Sequence, residues 1–371
     1  MAKNHNKFNN KFNEIISLEN LEFAYYRTQK SKSKYKKDSI LFSFNLFNNL
    51  ESIKNELINK TYVPENYNTF IVYEPKERII SAPKFKDKVV QFAIHNILNP
   101  EFEKNFIYDS YACINHKGTH KAALRIQDFL KESNNIYNNP YIIKIDIKKF
   151  FYSIDRNILK ELLKKNIKCK NTLNLLFKII DTSPGINGLP LGNCTSQLFA
   201  NIYLNELDQY CKRSLGLKYY VRYMDDIAII IDEKDNAKII LEDLIDFINK
   251  KLNLDINIKK TKIFPLKQGI NMVGYKIYLT HMKLRNSSKK RIKRKIKKME
   301  KLISNGELSK EKVEQIISSW LGHAKHANSE NFINSLLKRY PYIKINKKGK
   351  VRVNVNNKTA WARSNNTYKR N

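Results

Sequence analysis

The residues most able to do chemistry in this chain are two adjacent carboxylates in Tyr223-Met224-Asp225-Asp226. They stand where two β-rich runs of segment 218–232 meet, which predicts a hairpin with the acidic pair at its tip. Asp is disfavoured beside β-branched strand residues, and neighbouring like charges repel. A divalent cation held by oxygen ligands offsets that repulsion. An ordinary Asp-rich turn is the plainer reading. Asp146 counts against it, because it ends the apolar run 141–146, where a charged residue on a buried strand needs a reason. Two strands with carboxylates at corresponding ends place three acids around two metal ions. Such a pair of ions clamps the attacking and leaving oxygens of an in-line phosphoryl transfer.

Two other constellations carry metal-binding residue types. Cys113, His116 and His120 have a C-x2-H-x3-H spacing, but no fourth ligand is near in sequence, which disfavours zinc. His323 and His326 lie three apart on a helical pattern, with Trp320 three residues before His323. Packing, or a helix face turned to nucleic acid, explains them better than a metal pair.

These residues need a frame. The run 141–147 reads as a buried strand, and 156–180 as a helical stretch ending in the Pro/Gly-rich loop 183–193. A long amphipathic helix follows over 195–215, with Thr195 or Asn193 as N-cap. After the acidic hairpin come a helix over 235–251 and strands over 258–266 and 270–279. Upstream, 1–60 is helical and polar, with a basic stretch from Arg27 to Lys37 that, taken alone, reads slightly better as a solvated loop. Segment 67–83 predicts two short strands around a turn at Glu74–Glu77, followed by helices over 84–103 and 121–132. Eleven of residues 283–301 are Lys or Arg on a helical pattern. Another helix is expected over 310–328, then a hairpin over 342–355 turning at Lys348–Gly349, then a polar tail after Asn356.

Composition narrows the class. The 371 residues carry 69 Lys+Arg against 35 Asp+Glu, a net charge of +34, with 42% hydrophobic and 11% aromatic residues. That apolar content excludes wholesale disorder. No apolar run reaches the roughly 18–20 residues that span a membrane, and no secretory leader is expected from the polar first residues. The charge calls for a polyanionic partner, and nucleic acid leads because each neutralised phosphate releases counterions. The four cysteines, Cys113, Cys169, Cys194 and Cys211, form no CxxC pair, which predicts free thiols and a cytoplasmic, reducing location.

The blocks closely resemble a reverse transcriptase. YMDD lies in an apolar hairpin, and KIDIKKFF (144–151) carries Asp146. KERIISAPKFKDKVVQ (76–91) resembles the finger motif near the incoming nucleotide, and FIYDSYACINHKGTHKA (106–122) the block after it. GLPLGNCTSQLFANIYL (188–204) resembles the template- and nucleotide-contacting block, and INMVGYKIY (270–278) the primer grip. The blocks stand in the family's order, and the resemblance covers roughly residues 70–335. Where many members have QGxxxSP, this chain has Leu191-Gly192-Asn193-Cys194-Thr195-Ser196-Gln197. That departure, SWLGHAKHANS (319–329) and the small size without a further nuclease module are similar to the enzymes of diversity-generating retroelements.

The resemblance implies an α/β (α+β) right-hand polymerase: fingers and palm over 61–281 with an antiparallel palm sheet, and a helical basic thumb over 282–341. They are flanked by an N-terminal helical extension (1–60) and a C-terminal hairpin and tail (342–371). It implies two Mg2+ ions, with Mn2+ as an alternative, on Asp146, Asp225, Asp226 and the Ile147 carbonyl. Phe151 matches the steric gate under the deoxyribose, although it or Phe150 must be core. Arg78 matches a finger arginine on the triphosphate, with Lys76 and Lys88 as weaker candidates. Leu191 replaces the usual Gln and cannot donate its hydrogen bond, so base-pair checking is expected to be lax. Lys260 resembles the lysine that protonates pyrophosphate. Gln197, Tyr223, Gly274, His323 and His326 are expected at template or primer.

The implied activity is copying a template-repeat RNA into adenine-mutagenised cDNA from a primer and dNTPs, helped by a basic oligomeric accessory protein. Retron-like or abortive-infection reverse transcriptases share parts of these motifs and form the alternative. A non-catalytic RNA-binding scaffold is a further one, which three costly carboxylates argue against.

Overall fold

The computed structural model describes residues 10–30, 32–73, 77–346 and 349–354. The first nine residues, Lys76 and most of its turn, Lys348 of the expected C-terminal turn, and the tail from 355 lie outside the described residues. The chain forms two compact units: Met1–Gly118 with Pro140–Phe264, and Thr119–Asn139 with Pro265–Asn371.

In the first unit, β1 (Asn68–Val72) and β2 (Arg78–Ala82) pair as an antiparallel ribbon. Its β1 residues are all exposed. The central sheet has the order β4-β5-β3-β6, built from β3 (Tyr141–Asp146), β4 (Tyr220–Tyr223), β5 (Asp226–Ile231) and β6 (Lys262–Pro265). β3 and β4 each run antiparallel to β5. Ile142, Ile143 and Ile145 are fully buried on β3, as are Ile227 and Ile229 on β5. β-Branched residues suit a pleated surface covered on both sides, and each such burial contributes about 1.5–3 kcal/mol. The α/β class with an antiparallel central sheet is thus as the sequence predicts.

The helix Cys194–Gln209 lies deep in this unit's core, burying Leu198, Phe199, Ala200, Ile202, Tyr203 and Leu204. The sequence predicts a single apolar stripe here, but the burial runs round the helix. It continues into a π-helical turn over Tyr210–Ser214. Asn193 is its N-cap residue but makes no side-chain capping bond; its Nδ2 donates to the Tyr67 hydroxyl instead (3.0 Å). The expected helical stretch 156–180 is two helices, Arg156–Asn166 and Lys170–Asp181. Between them Ile167 is extended (φ −115°, ψ 126°) and buried. Its apolar side chain keeps the helical spacing across the break, so the pattern alone does not mark it.

The second unit contains an antiparallel sheet, β7 (Ile270–Met272), β8 (Tyr275–Ile277) and β9 (Met282–Leu284). Segment 270–279, expected as one strand, is a hairpin turning at Val273 and Gly274, both at positive φ. The helix Thr119–Ile136 packs on β8 and is longer than the sequence suggests. The basic segment forms the helix Asn286–Ser304, with Ile292, Ile296 and Met299 turned inward. Lys310–Ala324 and an unforeseen helix, Glu330–Arg339, join it. β10 (Ile343–Ile345) and β11 (Val351–Val353) close this core as an antiparallel pair.

Candidate active site

The backbone register gathers the three carboxylates. In the β3–β5 pairing Asp146 stands directly opposite Asp226, and in β4–β5 Tyr223 stands opposite Asp226. The turn between β4 and β5 is therefore only Met224 and Asp225. Met224 takes φ +54°, a left-handed conformation that is uncommon for a non-glycine residue and marks a turn held by its surroundings. The sequence places an acidic pair at a hairpin tip; the register shows that Asp225 is at the tip and Asp226 already on the strand.

The three repel one another, and two lysines offset part of that repulsion. Burial, then the nearby Asp226 and Asp146 charges, push the Asp225 carboxyl up from 3.8 to about 6, against a backbone hydrogen bond and Lys260. Lys260 Nζ donates to both oxygens of Asp146, at 2.6 and 2.8 Å. Lys144, two residues before Asp146 and so on the same face of β3, approaches Asp226 Oδ1 at 3.3 Å. Lys144 is absent from the candidates the sequence offers, although a lysine amid the isoleucines of β3 is a visible signal.

The loop carrying Lys260 is stitched to β3. Asn257 N donates to the Asp146 carbonyl (2.7 Å), and Lys148 N donates to the Asp255 carbonyl (2.8 Å). The Asp146 amide reaches Thr261 Oγ1 (3.4 Å), another residue not foreseen. Ile147 forms an isolated bridge with Ile256 and is buried.

After β3 the chain turns through Lys149 at φ +47° into the short helix Phe150–Ser153. Phe150 is the core ring, and Phe151 is half-buried beside it, the ring centroids 5.4 Å apart. The loop carrying Leu191 lies against this helix. Gly188 N donates to the Ile154 carbonyl (2.9 Å) and Leu189 N to the Phe151 carbonyl (2.7 Å). Gly188 sits at φ +83°, and a Cβ there would fall 2.6 Å from the Tyr152 backbone. The Leu191 carbonyl accepts from Ser81 N of β2 (3.1 Å). Leu191 is half-buried, Gln197 is exposed, and Tyr223 is half-buried. Arg78 is exposed at the start of β2. Lys88 is half-buried and shifted down by burial and by Lys36.

Gly274, His323 and His326 belong to the second unit. Gly274 takes φ +93°, and a Cβ would fall 2.9 Å from the His323 ring. His323 stacks on Tyr275 (4.4 Å) and its Nδ1 lies 2.8 Å from the Tyr275 hydroxyl. His326 stacks on His120 at 3.6 Å. His120 is thus in the second unit, while Cys113 and His116 are in the first.

Among the described residues, no group of three or more His, Cys, Asp or Glu side chains stands as a preformed metal cage. The donor chemistry of the carboxylate site nevertheless suits a hard cation: all its donors are oxygens, and Asp225 resists ionising because of burial and its neighbours' charges. Two lysine ammonium groups lie where positive charge is needed.

The family profile described as "Reverse transcriptase (RNA-dependent DNA polymerase)" matches residues 67–277, more than half of the chain and all three carboxylates. The chain belongs to the reverse transcriptase family. This reverse transcriptase chain is 30% identical over 281 residues to the retron Ec73 reverse transcriptase of Escherichia coli, covering 71% of this chain and 83% of that protein. It is 24% identical over 359 residues to the COX1/OXI3 intron 2 protein of Saccharomyces cerevisiae, covering 76% of this chain but only 40% of that protein. A structure of apo telomerase from Candida tropicalis superposes with a TM-score of 0.47 and 15% identity, over 79% of this chain and 65% of that one. Among the described residues no helix is long and apolar enough to cross a membrane.

Proposed function

We propose that this reverse transcriptase is an RNA-directed DNA polymerase that extends a primer 3′-hydroxyl on a template RNA with dNTPs. The register that sets Asp146 against Asp226, with Asp225 pushed up by burial and by both of them, carries the reading. Asp146, Asp225, Asp226 and the Ile147 carbonyl would hold two Mg2+ ions, which when bound stabilise charge on the attacking and leaving oxygens.

The chain's own residues do the rest. Lys260 holds Asp146 in place and would be the ammonium that meets departing pyrophosphate. Phe151, half-buried against Phe150, offers its remaining face as a floor for the sugar, where a 2′-hydroxyl would collide. Arg78 suits bidentate binding of a triphosphate. Gln197 and Tyr223 would touch the template or primer, and Gly274, His323 and His326 the primer strand. The basic helix Asn286–Ser304 would act as a thumb on duplex phosphates, within a division into fingers and palm (61–281) and thumb (282–341).

The finer reading is a diversity-generating enzyme, working with a basic accessory protein and copying loosely opposite adenine. Leu191 supports it, since an apolar side chain could not hydrogen-bond the base pair it would border. The retron relative at 30% identity supports a second reading, a retron-type enzyme making cDNA from its own RNA.

The test is primer extension on a defined RNA with Mg2+ and dNTPs, followed by sequencing. Errors concentrated opposite adenine, falling in Leu191→Gln, favour the diversifying role. Faithful copying unaffected by Leu191→Gln favours the retron role. Asp146→Asn is expected to lower extension by at least about 10³-fold while RNA binding stays within a few-fold. Extension by Asp146→Asn at the wild-type rate would refute the metal-ligand assignment.

A further inference from the structure

Behind the acidic turn lies a charged network that no chemistry assigned above uses. Arg222 on β4 and Asp208 on the helix Cys194–Gln209 are both fully buried. Arg222 Nε donates to Asp208 Oδ1 at 2.7 Å, and Nη2 donates to Oδ2 at 2.6 Å. The Tyr220 hydroxyl also donates to Asp208 Oδ1 (2.6 Å). That leaves Nη1, which donates to Asn201 Oδ1 (3.1 Å) and to the Met224 carbonyl (3.3 Å). The Arg222 backbone is pinned as well: its amide donates to the Asp109 carbonyl and its carbonyl accepts from Tyr111 N, both at 3.0 Å.

A buried ion pair is a weak source of stability, because desolvation cancels most of its attraction and apolar residues of like volume do as well. Its value lies in direction. Met224 is the residue held at φ +54°, and its carbonyl is the turn atom this guanidinium reaches. Relaxing that turn would swing Asp225, the next residue, away from Asp146 and Asp226.

We infer that Arg222, clamped by Asp208 and Asn201, is a positioning residue that holds the Met224 carbonyl and so fixes the Asp225 turn in its working conformation. The inference rests on the polymerase reading for its effect on rate, but not for its effect on the turn.

The experiment compares Arg222→Lys with an apolar triple variant, Asp208→Leu with Tyr220→Phe and Arg222→Met. Lysine keeps the charge for Asp208 but lacks a second branch for the Met224 carbonyl. Arg222→Lys is expected to fold, to exchange the amide hydrogens of residues 224–226 about tenfold faster, and to lose about 10²-fold in single-turnover rate per active site. The KM for dNTP should stay within about twofold, because the guanidinium is fully buried. The triple variant should recover the wild-type unfolding temperature but neither the slow exchange nor the rate. Wild-type exchange at the turn in Arg222→Lys, or a triple variant that recovers exchange and rate together, would overturn the inference and leave the network a brace for the fold. Should the wild-type chain extend no primer, the polymerase reading fails while the exchange measurement still decides this one.

Discussion

At the scale of single residues, the site is governed by the cost of crowding three carboxylates. Asp225 is the clearest case, since its carboxyl is pushed up from 3.8 to about 6. The folded chain therefore holds a proton on Asp225 between those values that the unfolded chain has released. Stability conferred by this group falls as pH rises through that window, and the deficit persists above it. Asp225→Asn should accordingly stabilise the protein in EDTA at pH 7.5 by on the order of 2 kcal/mol, after allowance for its partial exposure. The gain should shrink towards zero near pH 4, which thermal unfolding across pH would read directly. An equal gain at both pH values would mean that Asp225 carries no such strain. The sequence discloses Asp146, Asp225 and Asp226 because charge amid β-branched residues stands out locally. By the same reasoning Lys144 is visible as a charge in the apolar run 141–146, but its pairing with Asp226 is not, and Thr261 draws attention only once it is seen beside the Asp146 backbone.

At the scale of elements, the short helix Phe150–Ser153 and the loop Gly188–Leu191 form one piece, joined by backbone hydrogen bonds. Gly188 is what lets them close, since any Cβ would meet the Tyr152 backbone rather than a movable side chain. Gly188→Ala combines that overlap with a positive φ, so a loss of about 2–4 kcal/mol is expected in chemical denaturation. A loss no larger than that of an exposed helix substitution would contradict the close approach. Elements with strong periodicity are readable in advance: the buried strand β3, the acidic hairpin, and the helices at 84–103 and 286–304. The break at Ile167 is not, because an extended residue that remains buried leaves the apolar spacing intact. The helix Glu330–Arg339, unforeseen above, does carry the pattern: Phe332, Ile333, Leu336 and Leu337 recur at helical spacing and join the second unit's core.

At the scale of the whole molecule, a net charge of +34 makes electrostatics the dominant contribution to any binding of nucleic acid. On the helix Asn286–Ser304, Lys290, Arg294 and Lys297 are exposed at four- and three-residue spacing, on the side away from Ile292 and Ile296. Changing all three to Gln should reduce the slope of log affinity against log salt for primer–template by roughly 2–3, with little effect on the unfolding temperature. An unchanged slope would remove this helix from the phosphate-contacting surface.

The sequence by itself determined the family, the antiparallel hairpin and the three acids, because each is written in short-range pattern: alternation, an interrupted apolar run, motif blocks in order. It also determined that a polyanion is the expected partner, because net charge needs no structure. Only the tertiary structure decided which carboxylate faces which, that Asp225 sits at the tip while Asp226 lies on the strand, and that Arg222 reaches the Met224 carbonyl. Register and burial join residues more than a hundred positions apart, as with Lys260 and Asp146. The free energy of such contacts depends on distance and desolvation, which no local pattern of residues encodes.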